Sequence, residues 1–261
     1  MKVAILAKKP FDISQQIALE LEERGHSTTI YHTDDLLIDH KFLEYDLVVQ
    51  KSKQMLFLYA GIYAKVAGIS VVPDPERSLE IRDRIRCQAL ITGAGLRAPF
   101  FYFGFPHVLA EKIPSDEYPL VCKRQFGSRG QFVSILDSPE TLAGAQNDTM
   151  VYLQQYIEGK HFLVCFIDSE IRMYEKKMLQ KETSNLQEVP VPDEVVKVVS
   201  SWRRVTDLPL GDLDIVQERA TGDFWVVDPG SFPNFLNWPG AAAQLAETIL
   251  MHAAMRQVPL D

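Results

Sequence analysis

The sequence has few cysteines and no long apolar segment, and each shortage excludes a class of protein. Its three cysteines, Cys87, Cys122 and Cys165, lie far apart and form no CxxC or Cys/His pair. Neither a disulfide framework nor a structural zinc site is therefore expected. No segment approaches the roughly 20 apolar residues that a helix needs to span a bilayer, and the apolar start ends at Lys8 and Lys9, too early for an export signal. We expect a cytoplasmic protein.

Positive charge is also in short supply. The 261 residues include 27 Lys and Arg against 35 Asp and Glu, a formal net charge of -8. A protein that coats nucleic acid or lies on an anionic membrane would carry the opposite balance, so we expect neither partner, although a local basic site stays open. The GxxxxGK[ST], G-x-S-x-G and HxxxH motifs are missing as well, which argues against a P-loop, a hydrolase elbow and a helix-borne metal site.

What is present reads as a globular protein, with 46% hydrophobic and 24% charged residues. In the first third, strand and helix signals alternate, which predicts a small parallel sheet covered by helices. The predicted strands are 3–7, 27–31, 46–49 and 69–72, and the predicted helices are 13–24 and 54–67. A single polar helix is predicted over 76–91.

After Pro99 the pattern changes to short strands joined by turns, which is typical of antiparallel sheets. The predicted strands are 100–103, 120–124, 132–136, 151–155, 162–167, 171–178, 213–217 and 224–227, with helices over 194–204 and 241–256. Residues 179–190 are predicted to form a polar loop. The fold class is therefore α+β, with an α/β parallel-sheet unit at the N-terminus.

The first candidate site is a lysine near the end of an apolar strand. Lys123 is followed by a loop that contains Gly127, Ser128, Arg129 and Gly130. A lysine in a buried strand is costly unless its ammonium meets an anion, and the amides of such a loop can turn toward phosphate oxygens. The alternative is an ordinary hairpin whose lysine reaches outward to water.

Two further candidates lie later in the chain. One strand ends in Gln154 and Gln155, followed by Tyr156 and Ile157, so its amides and backbone could pair with a purine edge; the alternative is simply a strand end. Asp214 and Asp228 lie on adjacent predicted antiparallel strands. Facing carboxylates repel unless a cation lies between them, and oxygen ligands suit Mg²⁺ on nucleotide phosphates. The alternative is two aspartates at strand ends near turns.

Taken in order, these signals resemble the ATP-grasp superfamily over most of the chain, nearest to glutathione-synthetase-like and ribosomal-protein-glutamate-ligase-like enzymes. The resemblance implies an N-terminal α/β domain (residues 1–75), a central lobe with a linking helix (76–155) and a C-terminal lobe (156–261). It implies ATP and Mg²⁺ as cofactors and a small carboxylate or amine as substrate. A homodimer is one arrangement that it allows.

The resemblance also implies roles for individual residues. Lys123 and Arg129 are expected to be catalytic. Asp214 and Asp228 are expected to hold the metal. The nucleotide is expected to contact a further group of residues, namely Arg84, Lys123, Gly127, Ser128, Gly130, Gln154, Gln155, Tyr156 and Ile157.

Three departures from the family pattern bear on function. Arg84 replaces a lysine, Gln155 replaces a glutamate, and Gly230 stands where an asparagine normally supplies a third metal oxygen, which puts a second Mg²⁺ in doubt. The activity implied is ATP-dependent ligation of a carboxylate to an amine through an acyl phosphate. Two alternatives stay open: a kinase of a small hydroxyl substrate, suggested by the string Ser231-Phe232-Pro233, and a degenerate protein that only binds nucleotide.

Overall fold

The computed structural model describes residues 1–8, 13–124, 133–143, 149–178 and 184–256. The N-terminal part is a parallel sheet in the order β2-β1-β3-β4. Its strands are β1 (Lys2–Leu6), β2 (Ser27–Tyr31), β3 (Leu47–Val49) and β4 (Ser70–Val72). Both faces of β1 are buried because helices α1 (Ile13–Glu23) and α2 (Met55–Val66) cover the sheet from opposite sides. This double cover explains why β1 and β3 are continuous apolar runs. A short 3₁₀ helix, His40–Glu44, precedes β3.

Two helices, not one, link this sheet to the rest of the chain. The prediction of a single helix over 76–91 is wrong, because the chain breaks at Asp83 into α3 (Pro75–Arg82) and α4 (Arg84–Gly93). Asp83 has extended backbone angles, and its carboxylate accepts hydrogen bonds from the amides of Ile85 and Arg86. Asp83 is therefore the N-cap of the second helix, and Arg84 is the first residue of that helix.

The central sheet is antiparallel, in the order β5-β8-β6-β7. Its strands are β5 (Phe101–Gly104), β6 (Leu120–Arg124), β7 (Ser134–Leu136) and β8 (Val151–Gln155). Two short helices, α5 (Pro106–Lys112) and α6 (Pro139–Ala143), and a 3₁₀ turn, Ser115–Glu117, complete this part. Leu120 and Leu153 pack with Leu109 and Leu142 in a small core on one face of the sheet.

The C-terminal sheet is larger and has the order β11-β10-β9-β12-β13. Its strands are β9 (Gly159–Ile167), β10 (Glu170–Lys176), β11 (Gln187–Val189), β12 (Leu210–Glu218) and β13 (Phe224–Gly230), and helices α7 (Asp193–Thr206) and α8 (Ala241–Arg256) follow the same part of the chain. Alternate residues of β9 enter two different cores, one shared with α7 and the other with α8. Helix α8 also packs against α1 and β4, so the end of the chain is joined to the N-terminal sheet.

The expected α+β class with an N-terminal parallel sheet is confirmed. The loop expected over 179–190 is wrong in part, because Gln187–Val189 pairs with β10 as strand β11. The division into three domains, at residues 75/76 and 155/156, stays a prediction. In the described part of the chain, no helix is both long and apolar enough to cross a membrane.

Candidate active site between two antiparallel sheets

Lys123 connects the central and C-terminal sheets. Its side chain projects from β6 and is only 5% exposed. The ammonium donates hydrogen bonds to the side-chain oxygen of Gln154 on β8, at 2.6 Å, and to the carbonyl oxygen of Val227 on β13, at 3.0 Å. Burial lowers the pKa of Lys123 to about 8, and the negative charge of Asp228 offsets only part of this effect. The lysine is thus a buried cation that an additional anion would stabilise.

Arg84 reaches the same place from the linking helix α4. Its Nε donates to the carbonyl oxygen of Arg124 at 2.9 Å, and its Nη1 donates to Asp228 Oδ1 at 3.3 Å. The Arg84 side chain is 11% exposed. The break at Asp83 therefore positions Arg84, because it starts a new helix whose first residue contacts both antiparallel sheets. Arg84 and Lys123 together place two cations at one end of the space between the sheets.

Asp214 and Asp228 face each other across β12 and β13, directly opposite in register. Lys176 on β10 forms an ion pair with Asp214 at 2.6 Å, while Asp228 pairs with Arg84. Burial raises the pKa of Asp214. Burial acts the same way on Asp228, but Arg84, Lys123 and other nearby cations outweigh it and hold the pKa of that carboxyl below its ordinary value. The adjacency predicted for this pair is present, and each carboxylate has its own cation.

A third carboxylate, Asp212, was missed by the sequence reasoning. It lies two residues before Asp214 on β12 and therefore on the same face of the strand. Burial raises the pKa of Asp212 to about 7, and the charges of Asp214 and Asp228 act in the same direction against the opposing effect of Lys53. The alternation Asp-Leu-Asp could have revealed it, since Leu213 between the two acids belongs to the core on the other face.

Two lysines of the N-terminal sheet were also missed. The segment from Gln50 to Lys53 follows β3 at the carboxyl edge of the parallel sheet, where ligands commonly bind. Lys51 is 6% exposed and donates to the Phe232 carbonyl at 3.2 Å and to the Asn234 side chain at 2.9 Å. The charge of Lys53 lowers the pKa of Asp228. The sequence signal that could have revealed them is the presence of two lysines directly after a buried strand.

The expected nucleotide hinge is only partly placed by the geometry. Gln154 is 3% exposed and holds the Lys123 ammonium, so its first role in the protein is to position that lysine. The backbone amide of Gln155 donates to the Phe100 carbonyl at 2.9 Å, Tyr156 is half-buried and Ile157 is buried. Residues Gly127, Ser128, Arg129 and Gly130 of the expected phosphate loop lie outside the described residues. The ligand contacts proposed for this whole set stay predictions.

The carboxylates offer a donor set suited to Mg²⁺, because all of their ligand atoms are hard oxygens. Among the described residues, no three His, Cys, Asp or Glu side chains already converge as in a preformed metal cage. The present partners of Asp214 and Asp228 are instead Lys176 and Arg84. A Cβ added to Gly230 would lie 1.9 Å from Asp212 Oδ1, so a carboxylate already fills the room of a side chain at position 230. The donor chemistry therefore fits a divalent cation that arrives with its own phosphate ligands.

Solved structures with the same arrangement of sheets exist, although no protein-family model and no curated protein matches the sequence. A RimK domain protein ATP-grasp from Sphaerobacter thermophilus DSM 20745 superposes with a TM-score of 0.77 at 14% identity, over 96% of this chain and 100% of that one. The D-alanine–D-alanine ligase from Bacillus anthracis complexed with ATP gives a TM-score of 0.72 at 14% identity, over 98% and 99% of the two chains.

A third neighbour is the ATP-grasp ligase PsnB, complexed with minimal precursor, Mg and ADP. Its TM-score is 0.69 at 16% identity, over 97% of this chain and 98% of that one. The chain has the ATP-grasp fold. In this chain, the Lys123 ammonium on the central sheet reaches the Val227 carbonyl on the C-terminal sheet, next to Asp228. At these identities the likeness establishes the fold, so the roles of individual residues rest on the geometry above.

Proposed function

We propose that this protein is an ATP-dependent ligase that joins a carboxylate to an amine through an acyl-phosphate intermediate. The observation that carries the proposal is the buried Lys123 ammonium, which is bonded to both sheets and lies among Arg84, Asp214 and Asp228. Burying an ammonium costs free energy, and binding a polyanion such as a nucleotide phosphate would offset that cost. The nearby carboxylates would then bind the metal ion that accompanies the phosphates. The fold neighbours that were solved with ATP or with ADP and Mg agree with this chemistry.

Lys123 and Arg84 would bind the phosphates of the nucleotide. Lys123 offers a compact ammonium, while Arg84 offers a planar fork whose Nε already bonds the backbone of Arg124. Both are preorganised, because each is held by protein oxygens before a nucleotide arrives. Preorganised donors stabilise charge that moves during phosphoryl transfer without reorganising at that moment.

Metal binding would fall to Asp214 and Asp228. When bound, Mg²⁺ would neutralise phosphate charge and hold the phosphates in line for transfer. Lys176 would then be released from Asp214 and become available to a phosphate or acyl-phosphate oxygen. The ion pair between Lys176 and Asp214 thus stabilises the carboxylate in the protein without nucleotide.

The reaction itself has two steps. A carboxylate oxygen of the substrate attacks the γ-phosphorus of ATP, and ADP leaves. The amine nitrogen then attacks the acyl carbon, inorganic phosphate leaves with the bonding electrons, and the amine loses a proton. The cleft residues would contribute positioning and charge neutralisation. Phosphate binding by residues 127–130 and a catalytic role for Arg129 are part of the proposal, and so are a cytoplasmic location and a homodimer.

Trapping with hydroxylamine tests this reaction class. The protein is incubated with ATP, Mg²⁺, hydroxylamine and a panel of amino acids and short peptides, and both hydroxamate and ADP are measured. A ligase of this type gives a hydroxamate that depends on ATP and on one carboxylate of the panel. ADP formation with phosphorylation of a hydroxyl group and no hydroxamate would overturn the proposal in favour of a kinase.

The string that suggested a kinase has a structural explanation. Ser231 is fully buried and Phe232 is 5% exposed. The carbonyl of Phe232 accepts from Lys51, and its ring lies 5.1 Å from the same ammonium. Packing between the N-terminal and C-terminal parts therefore accounts for Phe232, which removes the main support for a kinase.

A further inference from the structure

Strand β2 forms one edge of the N-terminal sheet and pairs only with β1 among the described strands. The amide of Ser27 and the carbonyl of Tyr31 are bonded to backbone groups on the β1 side. Because backbone groups point to alternate sides along a strand, those of Thr28 and Ile30 face outward. These outward groups form no hydrogen bond with any residue that the structure describes. The edge therefore offers two donors and two acceptors to a further strand.

This edge also lacks the features by which proteins usually block an edge strand, namely charged residues, proline and bulges. Its sequence is Ser-Thr-Thr-Ile-Tyr, and all five residues pair with β1 in one unbroken register. The opposite edge of the same sheet, β4, is packed against helix α8, where the Ser70 hydroxyl donates to the Ala253 carbonyl. The contrast between the two edges indicates that β2 is the one available to a partner.

A groove of about 500 Å³ lies beside the edge of β2, and this volume is in the usual range of binding sites. Residues 27, 29 and 31 of β2 line the groove together with side chains of the segment 35–45. Tyr31, Phe42 and Tyr45 form an aromatic cluster in its wall, with ring centroids between 5.7 and 6.0 Å apart. Leu37, another lining residue, is 70% exposed. A side chain of an added strand that points to the same face as Thr29 would enter this groove.

The charges of the groove argue against a phosphate or another strong anion as its ligand. The charged lining residues are three acids and two lysines, namely Asp35, Asp39, Glu44, Lys2 and Lys41. Lys2 is already paired with Glu44 at 3.9 Å. An anion would therefore meet an excess of negative charge, whereas an extended peptide needs only backbone partners at the edge and room for alternate side chains.

The carboxyl end of β2 lies on the same side of the sheet as the candidate active site. β2 runs parallel to β1 and, like β1, to β3. Just after these strands, the hydroxyl of Thr33 donates to the side-chain oxygen of Gln54 at 2.9 Å. Lys51, which follows β3, reaches the Phe232 carbonyl of the C-terminal part. A chain that lies along β2 can therefore continue toward that junction.

We propose that β2 binds an extended segment of a peptide substrate as a fifth strand of the N-terminal sheet. The outward backbone groups of Thr28 and Ile30 hold the segment, and the groove beside Thr29 receives one of its uncharged side chains. The substrate carboxylate is then carried by the same peptide, outside the bound segment. The assignment of this peptide as a substrate rests on the proposed function, whereas the addition of a strand to β2 does not.

An array of short synthetic peptides of random sequence tests the strand addition. Sequences that bind wild type are made in soluble form, and their affinities are measured by fluorescence anisotropy. Thr28→Pro removes an outward amide without breaking a bond to β1, so it should weaken binding about 10-fold or more, as expected for the loss of a hydrogen bond with added steric conflict. Thr28→Val is the matched control, because it keeps the amide and loses only the hydroxyl that donates to Glu22. It should bind like wild type.

Methylated peptides give a second test that needs only the wild-type protein. A peptide from the array is made in versions that each carry one N-methyl group on a different backbone amide. In a strand added to β2, alternate amides of the peptide face β2 and the others face away. Methylation should therefore weaken binding about 10-fold at alternate residues and have little effect at the residues between them. An equal effect at every residue, or none at any, would overturn the added strand.

Three results would overturn peptide binding at β2. The first is an array without any binder, and the second is a set of binders with equal affinity for wild type and Thr28→Pro. The third is a wild-type dimer in analytical ultracentrifugation that Thr28→Pro converts to a monomer while no peptide binds, since a second copy of the chain would then occupy the edge.

Hydroxamate trapping with the bound peptides separates this inference from the proposed function. A peptide that binds β2 and carries glutamate residues outside the bound segment should give a hydroxamate. Its KM should be about 10-fold higher in Thr28→Pro, with kcat unchanged, because the lost contact is remote from the reacting atoms. Hydroxamate from small carboxylates alone would overturn the peptide substrate and leave the ligase standing. Peptide binding at β2 without hydroxamate from any carboxylate would overturn the ligase and leave the added strand standing.

Discussion

The two antiparallel sheets, which meet at the hydrogen bond from Lys123 to Val227, stabilise their charged side chains in different ways. On the central sheet, the Lys123 ammonium is bonded to neutral oxygens of Gln154 and Val227. On the C-terminal sheet, Asp214 and Asp228 are bonded directly to the cations Lys176 and Arg84. Burial lowers the pKa of Lys123 to about 8, whereas neighbouring cations hold the pKa of Asp228 below its ordinary value. Asp214 differs from Asp228, because burial raises its pKa in spite of Lys176.

This difference indicates where a ligand gains most. Neutral acceptors satisfy the donors of an ammonium but do not cancel its charge, so an anionic phosphate near Lys123 recovers free energy that burial has cost. On the C-terminal sheet, a metal ion must instead displace Lys176 or Arg84 from an aspartate, so the net gain in free energy on metal binding is smaller. We therefore expect nucleotide affinity to depend on the central sheet and metal affinity to depend on the C-terminal sheet.

The largest expected effect comes from removing one charged group of each sheet. Lys123→Ala and Asp214→Asn should each lower turnover by about 100- to 1000-fold, the usual effect of deleting a preorganised charge-stabilising group. Calorimetric titration should show that only Lys123→Ala loses affinity for ADP without metal. Lys112→Ala, an exposed lysine near the central sheet, is the control. Full activity in Lys123→Ala or in Asp214→Asn would contradict the roles assigned to the two sheets.

The second prediction separates the two glutamines of the hinge. Gln154→Leu removes an acceptor from a buried ammonium and should lower the free energy of unfolding by about 1.5–3 kcal/mol, the range for hydrogen bonds to charged groups. Gln155→Leu should leave stability nearly unchanged and reduce the preference for ATP over GTP. Urea denaturation and nucleotide competition measure the two effects. Equal stability losses would mean that Gln154 does not position Lys123.

The third prediction concerns the junction between the N-terminal and C-terminal parts, where Lys51 donates to Phe232 and Asn234. Lys51→Met keeps most of the side-chain volume but leaves the Phe232 carbonyl and Asn234 without this donor. We expect a loss of about 2 kcal/mol in unfolding free energy, which corresponds to a fall in Tm of about 4–8 °C for a chain of this size. Lys41→Met, an exposed lysine of the same part of the chain, should change little. An unaltered Tm in Lys51→Met would show that the junction contributes nothing.

The smallest expected effect lies next to Lys123. Cys122 points to the other face of β6 and packs against the small core of the central sheet. Cys122→Ser should cost about 1 kcal/mol or less, as for most single substitutions outside special sites, and should not change ADP affinity. A marked loss of nucleotide binding in this variant would mean that the two faces of β6 are not independent.

Much of the fold could be predicted because local periodicity determined it. The strands 27–31, 120–124 and 151–155 and the helix 241–256 have the expected bounds. The break at Asp83 was missed because helix-forming residues stand on both sides of it, and only the capping geometry ends one helix and starts the next. Strand β11 was missed because its three residues, two of them polar, are too few to show a burial pattern and gain their structure from pairing with β10.

The site residues also divide into those that local sequence patterns could predict and those that they could not. Lys123, Asp214 and Asp228 were found because each lies in an apolar strand where a charge is costly. Lys51 was not found because its partner Phe232 is 181 residues away in the chain, and no local pattern reports such a contact. Asp212 was within reach of strand alternation, because Leu213 between the two acids belongs to the core on the other face.

The central claim is that Lys123 holds a buried positive charge for the phosphates of a nucleotide, and proton uptake tests it most directly. Lys123 has a pKa of about 8 in the protein without nucleotide, so at pH 9 it is mostly neutral, and a bound phosphate would raise its pKa and draw in a proton. ADP binding with Mg²⁺ is measured by calorimetry at pH 9 in two buffers of different ionisation enthalpy, for wild type and Lys123→Met. We predict proton uptake in wild type, none in the variant, and weaker wild-type binding as the pH rises above 8. Binding without proton uptake in wild type, or with equal uptake in Lys123→Met, would contradict the account.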